Sequence, residues 1–210
     1  MWIGTAPDCI LQRTEEASTI NVLLILSHPD RGSYNHAIAE RIGSALVDEG
    51  HHVDAHDLYA EHFQPVLEND EIQRRFSFDD YWVRHSQELR DAQGIVIVYP
   101  DWWGMPPAIL KGWIDRLFRP GIAFEYAGDE FLPKTKRPLL SGKRALVVST
   151  TNESNPLSQE AILSIWRERI LSYAGIEDAT FKILYDLHNA TGAQRRAWLK
   201  EIEELVTRWL

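Results

Sequence analysis

The stretch SHPDRGSYN, from Ser27 to Asn35, gathers a histidine, an arginine, hydroxyls, an amide and a glycine between an apolar run and an amphipathic one. A strand-to-helix joint of this kind turns several backbone N–H groups outward at a helix N-terminus, where the helix dipole adds positive character. Gly32 and Ser33 let backbone approach a ligand, and Ser33 and Asn35 add side-chain donors. His28 and Arg31 can place positive charge beside a phosphate. Anion binding is the chemistry this favours, although a capped helix with a polar turn would use the same residues. The loop is neither G-x-x-x-x-G-K-[ST] nor G-x-G-x-x-G, so ATP or GTP hydrolysis and a Rossmann fingerprint have no support.

A second stretch, YPDWWGMPPAILKGWIDRLF, runs from Tyr99 to Phe118 and puts Trp102 and Trp103 where loops usually hold small polar residues. A loop tryptophan can lie against a planar ring system. Pro100, Pro106 and Pro107 restrict the backbone, so its N–H groups can be preorganised for the carbonyls and nitrogens of a flat heterocycle. The two indoles could equally close a hydrophobic lid or a subunit interface. In the third stretch, STTNESNP from Ser149, Thr150, Thr151 and Asn152 offer hydroxyl, amide and backbone donors. Taken alone it is an ordinary loop before a helix cap.

Strand and helix patterns place these loops together. INVLLILS, GIVIVYP and RALVVST are continuous apolar runs, as expected of strands covered on both faces. HHVDAHDLY alternates weakly, like an edge strand, and ATFKILYDL supplies a fifth. Between them lie helical stripes: Ile38, Ile42, Ala45 and Leu46, stopping near Gly50, then Ile109, Leu110, Trp113, Ile114, Leu117 and Phe118. Asn155 and Pro156 are expected to open a further helix that Gly175 closes. Thr191 and Gln194 have capping-box spacing before Trp198, Ile202, Leu205, Val206 and Trp209. This alternation predicts an α/β fold, a parallel sheet wound on both faces. Such sheets bind ligands beyond the carboxyl ends of their strands, so the three loops converge on one edge. Together they argue more strongly for an anion-plus-ring ligand than any one does.

The 210 residues suit a single domain, expected over 19–210, with 1–18 as a poorly ordered extension. A net charge of -9 argues against a broad nucleic-acid face. The lone cysteine, Cys9, excludes an internal disulfide and fits a reducing, cytoplasmic compartment. No apolar run approaches the ~18 residues of a membrane span, so no membrane insertion is expected. His51, His52 and His56 read as a solvated edge strand rather than a metal site, and His85 and His188 as surface residues. Lys111 and Asp115 form an i,i+4 pair on a solvated helix face.

LILSHPDRGSYNHAIAE, YPDWWGMPPAILKGWIDRLF and GIAFEY together closely resemble the flavodoxin-like NAD(P)H:quinone oxidoreductases. That group includes potassium-efflux ancillary oxidoreductases and drug-activity modulators. The resemblance is good over roughly 21–152 and looser beyond. It implies a flavodoxin-like five-stranded sheet of order 2-1-3-4-5, a flavin (FMN or FAD), and a homodimer. It also implies NAD(P)H as reductant and a quinone or similar electrophile as acceptor, in ping-pong order. Carried over by position, His28, Arg31, Ser33, Tyr34 and Asn35 would hold the flavin phosphate region. Pro100, Asp101, Trp102, Trp103 and Gly104 would wrap the isoalloxazine, with Trp103 matching the family's aromatic wall. Thr150, Thr151 and Asn152 would lie beside the ring, although Asn152 and Glu153 replace the Gly-Gly that often follows the threonines. No dedicated acid or base is implied. A flavin-binding electron carrier and a regulatory subunit of another protein are the alternatives.

Overall fold

The computed structural model describes residues 19–74, 76–128, 134–155 and 160–209. The expected extension with Cys9 and the helix start at Pro156 lie outside the described residues. β1 (Asn21–Leu26), β3 (Gly94–Pro100) and β6 (Arg144–Thr150) are buried along nearly their whole length. Unbroken apolar runs require this, because both faces of each strand must be covered. β2 (His52–Asp57) and β7 (Asp178–Leu184) flank them, and all neighbours in the order β2-β1-β3-β6-β7 are parallel. The parallel strands alone follow 2-1-3-4-5. Counted along the whole chain the order is corrected to 2-1-3-6-7, because β4 (Phe124–Ala127) and β5 (Thr135–Pro138) form a separate antiparallel pair. Their sequences, FEYA and TKRP, are too short and polar to signal strands.

Alternate residues of each central strand feed opposite cores. Val22, Leu24, Val96 and Val98 meet Ile38, Ile42 and Leu46 of α1 (Tyr34–Asp48) and Ile202 and Val206 of α7 (Gly192–Trp209). Leu23, Ile25, Ile95 and Ile97 meet Leu89 of α3 (Asp80–Asp91) and Trp113 and Leu117 of α4 (Ala108–Leu117). A short α2 (Asn69–Arg74) precedes α3. α4 comes so close to the chain below it that a Cβ on Gly112 would stand 2.2 Å from the Pro65 carbonyl oxygen.

After β6, α5 (Glu160–Ser164) runs into a π-helical stretch, Ile165–Leu171, and then α6 (Ser172–Ala174). Gly175 ends it in the left-handed region at φ 95°, as expected of a helix C-cap. Within the π-helical stretch the buried Trp166 indole donates to the Tyr99 hydroxyl at 2.8 Å, bracing the end of β3. The Thr191 hydroxyl accepts the Gln194 N–H at 3.2 Å, capping α7. Among the described residues no helix is long and apolar enough to cross a membrane.

Candidate active site

Backbone bonds pull the three loops into register. The Ser27 N–H donates to the Val98 carbonyl, Asp101 N–H to Thr150 and Thr151 N–H to Leu184. The Asn35 amide then donates to the Thr150 hydroxyl at 3.0 Å, tying the first turn of α1 to the end of β6. Beyond these ties lies a cavity of about 340 Å³. His28, Ser33, Tyr34, Asn35, Pro100, Asp101, Trp102, Thr150, Thr151 and Asn152 all line it. A second cavity of about 350 Å³ shares Asp101, Thr151 and Asn152 and adds Trp103, Gly104, Glu153 and Ile162. Arg31 is exposed and lines neither.

Ser33 caps α1 in an extended conformation, so its hydroxyl and the unpaired N–H groups of the first turn face one end of the first cavity. Asp30 and Arg195 also line that cavity, and the sequence reading named neither for it. Arg195 stacks its guanidinium over the Tyr34 ring at 5.8 Å and donates from Nη2 to the Leu187 carbonyl. Its buried Nε–H has no hydrogen-bond partner in the described protein, a donor left for an anion. The signal for Arg195 was topological. A doubly wound order puts the first and last helices on the same face of the sheet, and Arg195 lies in the first turn of α7.

Burial disfavours the ionised forms of both Tyr34 and His28. Burial pushes the Tyr34 hydroxyl up to about 12, against the pull of Arg195, and the hydroxyl donates to the Arg195 carbonyl at 2.6 Å. Burial likewise lowers His28, outweighing the Asp30 contacts that raise it. The Asp30 N–H donates to its Nδ1 at 3.1 Å. Burial thus works against the positive charge expected of His28.

The tryptophan loop is a two-residue reversal. Trp102 and Met105 exchange both backbone hydrogen bonds, and Trp103 and Gly104 between them sit at φ 59° and 75°. Two consecutive positive φ values are the signature of a type I′ turn, which glycine takes freely and a bulky side chain does not. Trp102 packs edge-on to His28, 6.1 Å between ring centroids. Trp103 is fully exposed, its relative accessibility being 102%. Glu153 turns its carboxylate onto its own loop, accepting the N–H groups of Ser154 and Asn155 at 2.8 and 3.0 Å.

Apart from the cavities, the structure overturns the expected surface histidines. His56 and His85 are 1% and 0% exposed, stacked 3.9 Å apart. His56 lies between Glu61 at 2.7 Å and Glu88 at 2.5 Å, while His85 donates to Glu61 at 3.1 Å and accepts the Trp113 indole N–H at 2.8 Å. The carboxylates come from the turn after β2 and from α3, so no local spacing announced them. Burial alone would lower His56, but the two carboxylates outweigh it and raise it. Burial would raise Glu61, but hydrogen bonds from both histidines hold it down to about 2. His56, Glu61 and His85 offer donor atoms within 4.8 Å of one another. The Trp113 bond, however, places the His85 proton on Nε2, facing Glu61, so no lone pair is left there for a cation. These groups form a buried network of paired charges.

The residues of the two cavities fit a flavin. Unmatched donors gather at one end, and a preformed aromatic turn stands at the other. Comparison with known proteins agrees with this architecture. Residues 20–206 match the model of the family described as having a flavodoxin-like fold. An uncharacterized NAD(P)H oxidoreductase of Haemophilus influenzae is 29% identical over 186 residues, covering 86% of this chain and 91% of that protein. NAD(P)H dehydrogenase [quinone] 1 of Rattus norvegicus is 25% identical, covering 86% of this chain and 76% of that one. An FMN-dependent NADH-azoreductase of Bacillus anthracis, solved with FMN, shares the fold, with a TM-score of 0.70 at 18% identity over 90% of this chain and 99% of that one. With a family match spanning the sheet, both helical layers and the three loops, the chain belongs to the flavodoxin-like fold family.

Proposed function

We propose that this protein is a flavin-dependent oxidoreductase that passes electrons from NAD(P)H to quinones or related electrophiles, taking donor and acceptor in turn. The observation that carries this reading is the pairing of a polar, helix-capped cavity with an adjoining cavity beside the Trp103–Gly104 turn. The names of the relatives support it: NAD(P)H oxidation in the Haemophilus protein, a quinone acceptor in the rat protein, and FMN in the Bacillus azoreductase. A flavin, FMN or FAD, supplies two-electron hydride chemistry when bound.

The chain's own residues bind and orient. Ser33, the first turn of α1 and the Arg195 Nε–H hold the phosphate end. The Asp101 N–H is committed to Thr150, which keeps the loop from drifting with the ligand. Trp103 and Gly104 form the wall of the ring end, where closure by the indole excludes water. Glu153 lines the ring-end cavity and commits one carboxylate oxygen to the N–H groups of Ser154 and Asn155. Hydride transfer needs no side-chain acid or base. The fully exposed Trp103, with Phe78 at 80% exposure, also gives a homodimer apolar surface to cover. A cytoplasmic setting completes the reading.

The test is spectroscopic. The purified chain, reconstituted with FMN or FAD, is expected to be yellow, to bleach anaerobically with NADH or NADPH, and to recover colour on adding a quinone. Failure to take up either flavin would sink the reading. A yellow protein that neither nucleotide bleaches would instead be an electron carrier.

A further inference from the structure

We propose that His36 is a positioning residue. Its proton sets the direction of the Ser33 hydroxyl, so that binding an anionic flavin tail takes one proton up from solvent. The inference rests on the flavin reading above and concerns the phosphate end of the same cavity.

Three side chains stand in line there. Asp57 Oδ2 lies 3.0 Å from His36 Nε2, and His36 Nδ1 lies 2.9 Å from Ser33 Oγ. The other oxygen of Asp57 accepts the N–H groups of Tyr59 and Ala60, each at 3.1 Å, so the carboxylate is held in place at the end of β2. An acceptor fixed against Nε2 requires that nitrogen to carry a proton. In a neutral ring Nδ1 is then a lone pair, and the Ser33 hydroxyl must donate to it. The serine oxygen, already accepting the His36 N–H at 3.4 Å, is left with only lone pairs for the cavity. A phosphate oxygen arriving there meets repulsion.

With a second proton on the ring the direction reverses. The Nδ1–H donates to Ser33 Oγ, and the freed hydroxyl hydrogen turns to the phosphate. The imidazolium charge then lies one hydrogen bond behind the anion. His36 does not line the cavity and its side chain is 13% exposed, so it acts through Ser33. The titratable groups facing its ring are Asp57 from β2 and His28 from the loop after β1, 6.3 Å away edge-on, with Asp30 beside His28. Burial lowers His28, which works against a second positive charge beside His36. The protonated form binds, so flavin affinity is highest at low pH and falls as pH rises.

The experiment titrates the full chain, stripped of flavin, with FAD, FMN and riboflavin across about pH 5 to 8. FAD is the main probe, because its diphosphate keeps its charge over this range, and riboflavin has no phosphate. His36→Asn puts a permanent N–H donor near the Nδ1 position. Asp57→Asn keeps a carbonyl for Tyr59 and Ala60 but turns an NH₂ toward Nε2, which moves the proton of a neutral ring to Nδ1. Wild-type affinity for FAD is expected to fall by up to about tenfold per pH unit, the limit for one linked proton. Riboflavin affinity should stay flat, both variants should flatten the FAD profile, and Asp57→Asn should bind FAD more tightly than wild type at high pH. Tighter binding cannot come from a loosened fold. An equal FAD slope in wild type and both variants, or a riboflavin slope matching it, overturns the proposal. FAD and FMN binding that ignores pH overturns this inference alone, whereas no binding of any of the three at any pH overturns the flavin reading with it.

Discussion

Trp103→Gly is expected to leave the flavin-free protein at least as stable as wild type while weakening flavin binding. Trp103 holds φ at 59° with its side chain fully exposed, so its indole buries nothing within the chain. A left-handed conformation costs a residue with a Cβ about 1–2 kcal/mol, which glycine does not incur. Against that, glycine loses about 0.5–1 kcal/mol more backbone entropy on folding. The balance lies between no change and about 1.5 kcal/mol of added stability. The bound ring, in contrast, loses a stacking partner worth about 1–3 kcal/mol, roughly 5- to 150-fold in affinity. Urea denaturation of the flavin-free chain and fluorescence titration with flavin measure the two effects separately. Trp103→Ala should weaken flavin binding similarly without the gain in stability, because it keeps the Cβ. A flavin-free Trp103→Gly protein destabilised by more than about 1 kcal/mol would show that the indole packs on protein rather than on ligand. Unchanged flavin affinity would refute its role as the wall.

The His56–Glu61 pair is expected to contribute most to stability in mildly acid solution. Glu61 is held below its ordinary 4.5, so its contribution is full above that value and drains away as pH falls toward about 2. His56 is raised above 6.5, so its contribution is full below 6.5 and is lost as pH climbs through the folded value. Burial lowers His85, whose contribution opposes that of His56 below 6.5, so the test is a comparison of variants: His56→Gln should flatten the fall of the urea midpoint as pH climbs above 6.5, and an unaltered alkaline limb would contradict the assignment. Gly112→Ala is expected to cost about 1–3 kcal/mol, since the new Cβ meets the Pro65 backbone, with flavin binding by the folded fraction unchanged. An unshifted denaturation midpoint would count against that contact. Arg195→Ala should weaken FMN and FAD roughly tenfold or more, the scale of a charge-assisted hydrogen bond, and leave riboflavin unaffected. An equal loss for riboflavin would mean that Arg195 supports the fold through Tyr34 and not the phosphate.

Much of the architecture is readable in local pattern. The apolar runs of β1, β3 and β6 announce strands covered on both faces, and the Ile38–Ile42–Leu46 stripe announces the face of α1. Periodicity reports burial directly, because a strand or helix repeats its exposure every two or 3.6 residues. The loops after those strands were legible for the same reason, since a doubly wound order fixes the edge where they meet. The β4–β5 pair was not, because four-residue strands ending in TKRP have too few positions to show alternation. Nor was the π-helical turn that brings Trp166 to Tyr99, since its apolar positions also suit an ordinary helix.

By itself, then, the chain of residues determined the parallel sheet, its helical layers, the convergence of three loops and the residue types available there. Only the tertiary structure decided which of those side chains meet. Arg195 reaches the cavity because α7 packs beside α1, and Arg31, four residues before Asn35, stays outside because its loop turns it to solvent. His56 and His85 became part of a buried hydrogen-bonded network because Glu61 and Glu88 arrive from a turn and a helix that local spacing does not connect. His36 gained a proton partner only where the end of β2 brings Asp57 alongside α1. Burial patterns are local and repeat along the chain. Hydrogen bonds between side chains depend on strand order and register, which bring distant residues within 3 Å of one another or leave them apart.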